Sequence, residues 1–187
     1  MIKAPAAVGA FCSKLTQSVS FTVMCPTAWP RTAAAGDPQV GVLATTQTTY
    51  LVNAFNGVSD HSAHIFHLLF GGQNTPFGTG HGSIDAGLRV TTRDVRIPMT
   101  GGGTFVQQLA VRYISSTIVH HRRATVLQEP PYPQGGVQGG HVLVLWNESG
   151  HGYLVSVHGQ RLTKRALIAA AVAFADSSLP RKRNTPR

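Results

Sequence analysis

The stretch Gly139–Gly159, GGHVLVLWNESGHGYLVSVHG, decides how this chain is read. Two apolar runs, His141–Trp146 and Tyr153–His158, flank NESGHG, whose glycines tolerate the positive φ that a tight reversal needs. The reading is a β-hairpin with Trp146 opposite Tyr153. Leu145 then lies by Leu154, Val144 by Val155, Leu143 by Ser156, Val142 by Val157 and His141 by His158. Because side chains alternate between the faces of a strand, Val142, Val144, Trp146, Tyr153, Val155 and Val157 share a core face. Leu143, Leu145, Leu154 and Ser156 occupy the other, with His141 and His158 together at its open end. A slip of one residue would part the two histidines.

The hairpin leads into QRLTKRALIAAAVAFADSSL, Gln160–Leu179, in which Thr163 predicts a helix N-cap. Leu167, Ala170, Ala171 and Phe174 recur at helical spacing and form one apolar stripe. Upstream, TTYLVNAF (Thr48–Phe55) reads as a strand ending at an Asn-Gly turn, and HIFHLLF (His64–Phe70) as a buried strand rather than a short helix. GGQNTPFGTGHGS (Gly71–Ser83) reads as a glycine-rich loop, Leu88–Met99 as extended, and Thr104–Pro130 as two or three strands with breaks near Ser115 and His121. Many strands with turn-rich connections indicate an antiparallel sheet. The expected class is therefore α+β, mainly antiparallel sheet with a C-terminal helix packed on one face.

The run HVLVLWNESGHGYLVSVHGQRLTKRALIAAAVAFA resembles the closing module of extracytoplasmic proteins and lipoproteins of high-GC Gram-positive bacteria. In these, loosely similar to lipoprotein-sorting and sigma-regulatory sensor domains, a hairpin with a Trp and a Gly-x-x-Tyr precedes an alanine-rich helix. The likeness covers about a quarter of the chain and rests on Trp146, Gly150, Tyr153 and the Leu167–Ala175 segment. It implies an exported, sheet-based binding or sensing domain and carries over no catalytic residue.

With 187 residues the chain suits one domain, expected over residues 40–178. Residues 1–39 read as a flexible N-terminal arm or degraded export segment, because Lys14 interrupts the apolar run that a signal peptide needs. Residues 179–187 read as a basic, disordered tail. Charged residues make up 12% of the chain, about half the usual share of roughly 25%, as in many exported proteins. Four of the nine net positive charges sit at Arg181, Lys182, Arg183 and Arg187, so the tail is expected to bind polyanions weakly. Specific nucleic-acid recognition is not expected, since no reading motif accompanies the charge. No run approaches the roughly 18 apolar residues of a membrane span. Cys12 and Cys25 are open to two readings, a disulfide closing a short loop or two unrelated thiols.

Candidate chemistry centres on the nine histidines. His61, His64 and His67 form HxxHxxH, but on a regular strand His64 would face away from the other two, which weakens a metal site. In GHGSIDAG (Gly80–Gly87), Ser83 lies beside His81 and Asp85 without a nucleophile elbow. Glu129, before Pro130-Pro131, has surroundings that the local sequence does not reveal. The catalytic candidates are His141, His158 and Ser156. Trp146, Tyr153 and His151 are candidate ligand contacts, with Trp146 and Tyr153 equally readable as anchors of the fold. No cofactor is expected, a divalent metal at His141 and His158 being the one candidate. The first expected function is a non-catalytic extracytoplasmic ligand-binding or sensing domain with a sheet-based apolar cleft for an apolar or polymeric ligand. The alternative is a small hydrolase or metal-dependent enzyme using histidines near a sheet end.

Overall fold

The computed structural model describes residues 1–4, 6–19, 21–29, 63–71, 79–86, 89–90, 94–98, 104–108, 111–131, 139–159 and 162–181. In chain order these form β1 (Ile2–Lys3), α1 (Ala6–Ser18), β2 (Val23–Pro26), β3 (Ala28–Trp29), β4 (Ala63–Gly71), β5 (Thr79–Ala86), β6 (Arg89–Val90), β7 (Asp94–Pro98) and β8 (Thr104–Gln108). Then come β9 (Arg112–Val119), β10 (Arg122–Gln128), β11 (Val142–Glu148), β12 (His151–Gly159), α2 (Lys164–Ser177) and β13 (Ser178–Arg181). The main sheet has six antiparallel strands in the order β4-β5-β12-β11-β10-β9. Smaller pairings join β1 to β3, β2 to β13, and β6 through β7 to β8. The α+β class expected from the sequence is the observed one, and the strand expected at Thr48–Phe55 lies outside the described residues.

The hairpin register is the expected one, with Trp146 across from Tyr153 and Val142 from Val157. Its reversal is a two-residue turn in which Ser149 has φ 52° and Gly150 φ 81°. Positive φ at both central positions matches the twist of the flanking strands, and Gly150 adopts it without steric cost. The β9–β10 reversal repeats this geometry with histidines, His120 at φ 47° and His121 at φ 63°. There the conformation is held from outside. His120 Nε2 lies 3.0 Å from the Asp176 carbonyl, its Nδ1 lies 3.3 Å from Glu148 Oε2, and its ring meets the Trp146 ring edge-on.

The first face of the sheet is the main core. Val142, Val144, Trp146, Tyr153, Val155 and Val157 are buried there with Ala124, Val126 and Ile84. Helix α2 lies on this face through Leu167, Ala171 and Phe174, as expected, and through Ala175, while the expected Ala170 is half-buried. Thr163 caps it, its side chain accepting from the Ala166 N–H at 3.2 Å, a bond worth about 1 kcal/mol.

Part of residues 1–39, expected to be an arm, belongs to this core: Cys12, Leu15, Val19, Phe21, Val23, Met24 and Cys25 are buried in it. Cys12, Leu15 and Val19 line one buried side of α1 and its exit, whereas Lys14 is exposed. The lysine breaks the apolar run along the chain without breaking the apolar face, because helical spacing puts it elsewhere on the circumference. Strand β2 pairs with β13, so Leu179–Arg181 are strand rather than tail; residues 182–187 lie outside the described set. Tyr153 adds a long-range tie, its hydroxyl donating to the Thr22 carbonyl at 2.6 Å. Burial, then the nearby Glu148 charge, raise the pKa of this phenol.

Cys12 and Cys25 form a disulfide joining α1 to β2 across 13 residues of sequence. In the chain-entropy account a loop of this size stabilises by about 3 kcal/mol. Urea unfolding with and without reductant checks this: the midpoint is expected to fall on reduction, and an unchanged midpoint would contradict it.

Candidate functional site

The second face of the sheet begins as a leucine cluster. Leu127, Leu143 and Leu154 are buried on it, with Val111 and Leu145 packed against them. The expected apolar cleft is therefore not open at these three leucines. Toward the β11 start and the β12 end the same face turns polar. Here His141 and Ser156 are both buried, and His141 Nδ1 lies 2.6 Å from Ser156 Oγ. The His141 and His158 rings stack with centroids 5.1 Å apart. The three residues picked from the sequence as catalytic candidates thus meet in one cluster.

Glu129, one residue past the end of β10, stands across from His141. Leu127 lies on the second face, so alternation returns Glu129 to it two residues later. Its N–H donates to the His141 carbonyl at 2.9 Å, which sets the two residues across from each other. Glu129 is 2% exposed, and its Oε1 is buried with no hydrogen-bond partner. Burial without a partner penalises the carboxylate and pushes its pKa up to about 6. Burial acts on half-buried His158 in the other sense, lowering its pKa and favouring the neutral imidazole. Gly140, at φ 78°, takes a backbone conformation that favours glycine beside this ring, where a Cβ would make only an ordinary contact at 3.5 Å to His158 Cδ2.

Pairing with β5 and β4 extends the polar face. Ser83 stands across from Ser156, and His81 across from His158. On β4, His67 is in register with Ser83 and His64 with Asp85, and the register shifts by one residue between His64 and Phe66. That extra residue, Ile65, cancels the odd spacing of the two histidines. They take register positions sharing one face, contrary to the expectation for a regular strand. His61 lies outside the described residues. Ser83 lies within strand β5, not in a loop, because pairing on both sides supplies the extended geometry that its glycine-rich sequence does not favour. Two motifs that are separate in sequence thus take register positions in line with Ser156 and His158.

Other candidates lie elsewhere. Trp146 and Tyr153 are buried in the first-face core, their rings stacked at 5.5 Å, which places them out of a ligand's reach in this conformation. Trp146 Nε1 is buried without a hydrogen-bond partner. His151 borders the hairpin turn, half-buried, with its ring 6.0 Å from Phe21. Among the described residues no three His, Cys, Asp or Glu side chains converge as a metal-ligand set, and no helix is long and apolar enough to cross a membrane. No family model matches the chain, and neither the curated proteins nor the solved structures contain a match to it.

Glu129 supplies a test with a definite sign. Its folded pKa, near 6, exceeds the ordinary 4.5, so between these values the folded state binds more protons than the unfolded. Its contribution to stability is full below about pH 4.5 and lost as pH rises through 6. Glu129→Gln is expected to be more stable than the parent at pH 7.5, by at most about 2 kcal/mol, and to match it near pH 4. Urea unfolding at both pH values checks this, and equal differences at the two would refute it.

Proposed function

We propose that the chain is an extracytoplasmic ligand-binding or sensing domain that takes a compact cation at the polar end of the second sheet face. The observation that carries this reading is Glu129 Oε1, a buried acceptor with no partner. Buried polar groups are almost always paired, and leaving one unpaired costs about 1–3 kcal/mol. A bound cation or its N–H groups would offset that cost. Burial holds His158, on the same face, toward its neutral form, so it adds no competing positive charge. The Cys12–Cys25 disulfide supports an oxidising compartment, where such bonds persist. The resemblance of the hairpin and α2 to exported sensor modules points the same way. The apolar or polymeric ligand expected from the sequence gives way to a smaller, charged one, since the leucines that would have met it are covered.

Thermal unfolding with zinc chloride or n-butylammonium chloride tests the proposal and separates a metal from an amine. At a hundredfold excess over Kd, linkage gives about 2.7 kcal/mol, or a Tm rise on the order of 5–10 °C for a chain this size. One of the two cations is expected to produce this rise, and Glu129→Gln to abolish it. No shift with either cation, or a shift that survives the substitution, overturns the reading.

A second reading rests on the 2.6 Å contact between Ser156 and His141, a hydroxyl within reach of a base. In ester hydrolysis Ser156 Oγ would attack the carbonyl carbon while its proton passed to His141 Nδ1; the ester C–O bond would break as the alcohol left with that proton, and water would then release the acid from the acyl-serine. Ser156 is only 2% exposed, which bars a substrate unless the face opens. Hydrolysis of p-nitrophenyl acetate that disappears in Ser156→Ala would favour this reading, and equal rates in both proteins would remove it.

A further inference from the structure

Strand β9 is the last strand in the sheet order and has β10 as its one partner among the described strands. An edge strand directs alternate N–H and C=O groups outward, a template for another strand. Natural edges are commonly shortened, charged along their length or covered. This one runs eight residues, interrupted only by a bulge at Ile114, and exposes two large apolar side chains, Tyr113 at 57% and Ile118 at 60%. Ser116 lies between them on the same face, its Oγ 3.2 Å from the Tyr113 hydroxyl and 3.5 Å from Arg123 Nη2.

Charge around the edge has one sign. Arg112 opens β9, and Arg122 and Arg123 stand across from its far end, paired with Val119 and Ile118. All three arginines are exposed. From Arg112 to Gln128 there is no Asp or Glu, and among the described residues no carboxylate pairs with these arginines. The nearest acids are committed or buried: Glu148 and Asp176 hold His120, and Glu129 is enclosed on the second face. A second copy of this edge would bring arginines against arginines, so self-pairing is opposed by repulsion.

We propose that the outer edge of β9 docks an extended acidic segment of a partner protein, which adds as a strand beside β9. Main-chain hydrogen bonds hold the segment, as in other cases of strand addition. Carboxylates on one side of the added strand meet Arg112 and Arg122, and apolar side chains on its other side cover Tyr113 and Ile118, beside Arg123. Tyr113 and Ile118 share the second sheet face with Glu129, but the proposal rests on the strand edge and does not depend on what binds at Glu129.

Fluorescence anisotropy with a capped seven-residue peptide alternating Glu and Val tests the proposal on the full chain. Binding is expected to weaken at least tenfold in the Arg112→Glu/Arg122→Glu variant. It is also expected to weaken at least tenfold when alternate peptide nitrogens are methylated, which removes ladder donors while keeping the charge. Arg112 and Arg122 are exposed, and thermal unfolding of the variant confirms that it folds. Failure to bind overturns the proposal, as does equal binding of the methylated peptide or of a ten-nucleotide oligothymidylate, either of which marks a surface for polyanions in general. Dimerisation through β9, detected by sedimentation and lost in the same variant, would assign the edge to a second copy and overturn it too.

Discussion

A two-residue turn at Ser149 and Gly150 sets β11 against β12, and the division of labour between the sheet's two faces inherits that setting. The side-chain period of a strand is two, so an added or lost residue here would exchange the faces of one strand relative to the other. Imidazoles and a serine would then be driven under α2, and valines toward the polar cluster. Each buried polar group stripped of its partner costs about 1–3 kcal/mol, so several together would consume much of a domain's net stability. The turn therefore needs residues that accept positive φ, and Gly150 is the one that accepts it without penalty.

The two faces differ in what they contribute. The first is apolar from strand to helix, with α1, β2 and α2 supplying the cover. The second mixes three buried leucines with Glu129, His141, Ser156 and His158, and its carboxylate is more costly ionised than protonated. A protein retains such a cost where function needs the group, and removing it commonly stabilises the fold at the expense of activity. That trade distinguishes Glu129 from the exposed charges of β9 and β10.

Local pattern reveals the hairpin, its register, the Thr163 cap and the class of fold, because each depends on residues a few positions apart. Their signals agree: alternation, turn glycines and helical spacing all point to one arrangement. The polar face was only partly legible. His141, Ser156 and His158 follow from the hairpin alone, but their meeting with β5 and β4 depends on strands more than 60 residues earlier in the chain. Nothing local announces which strand will lie beside β12, and the shift at Ile65 inverts the side assignment that spacing would give His64. Glu129 could have been placed from its distance of two from Leu127, once β10 was paired with β11. The N-terminal segment was misread because Lys14 was judged along the sequence instead of around a helix, where it stands apart from Cys12, Leu15 and Val19.

The pairing of β2 with β13 has a consequence in time. These strands lie about 150 residues apart, and Thr27 is further bonded to Ser177, its N–H and hydroxyl each donating to that carbonyl at 2.8 Å. Contacts of such separation raise the entropic cost of closure and slow folding. Helix α1 and the Cys12–Cys25 loop are built from neighbouring residues, yet their docking needs β13, far along the chain. Once formed, the cystine keeps this apolar segment short and closed until that docking, limiting what it can join by mistake.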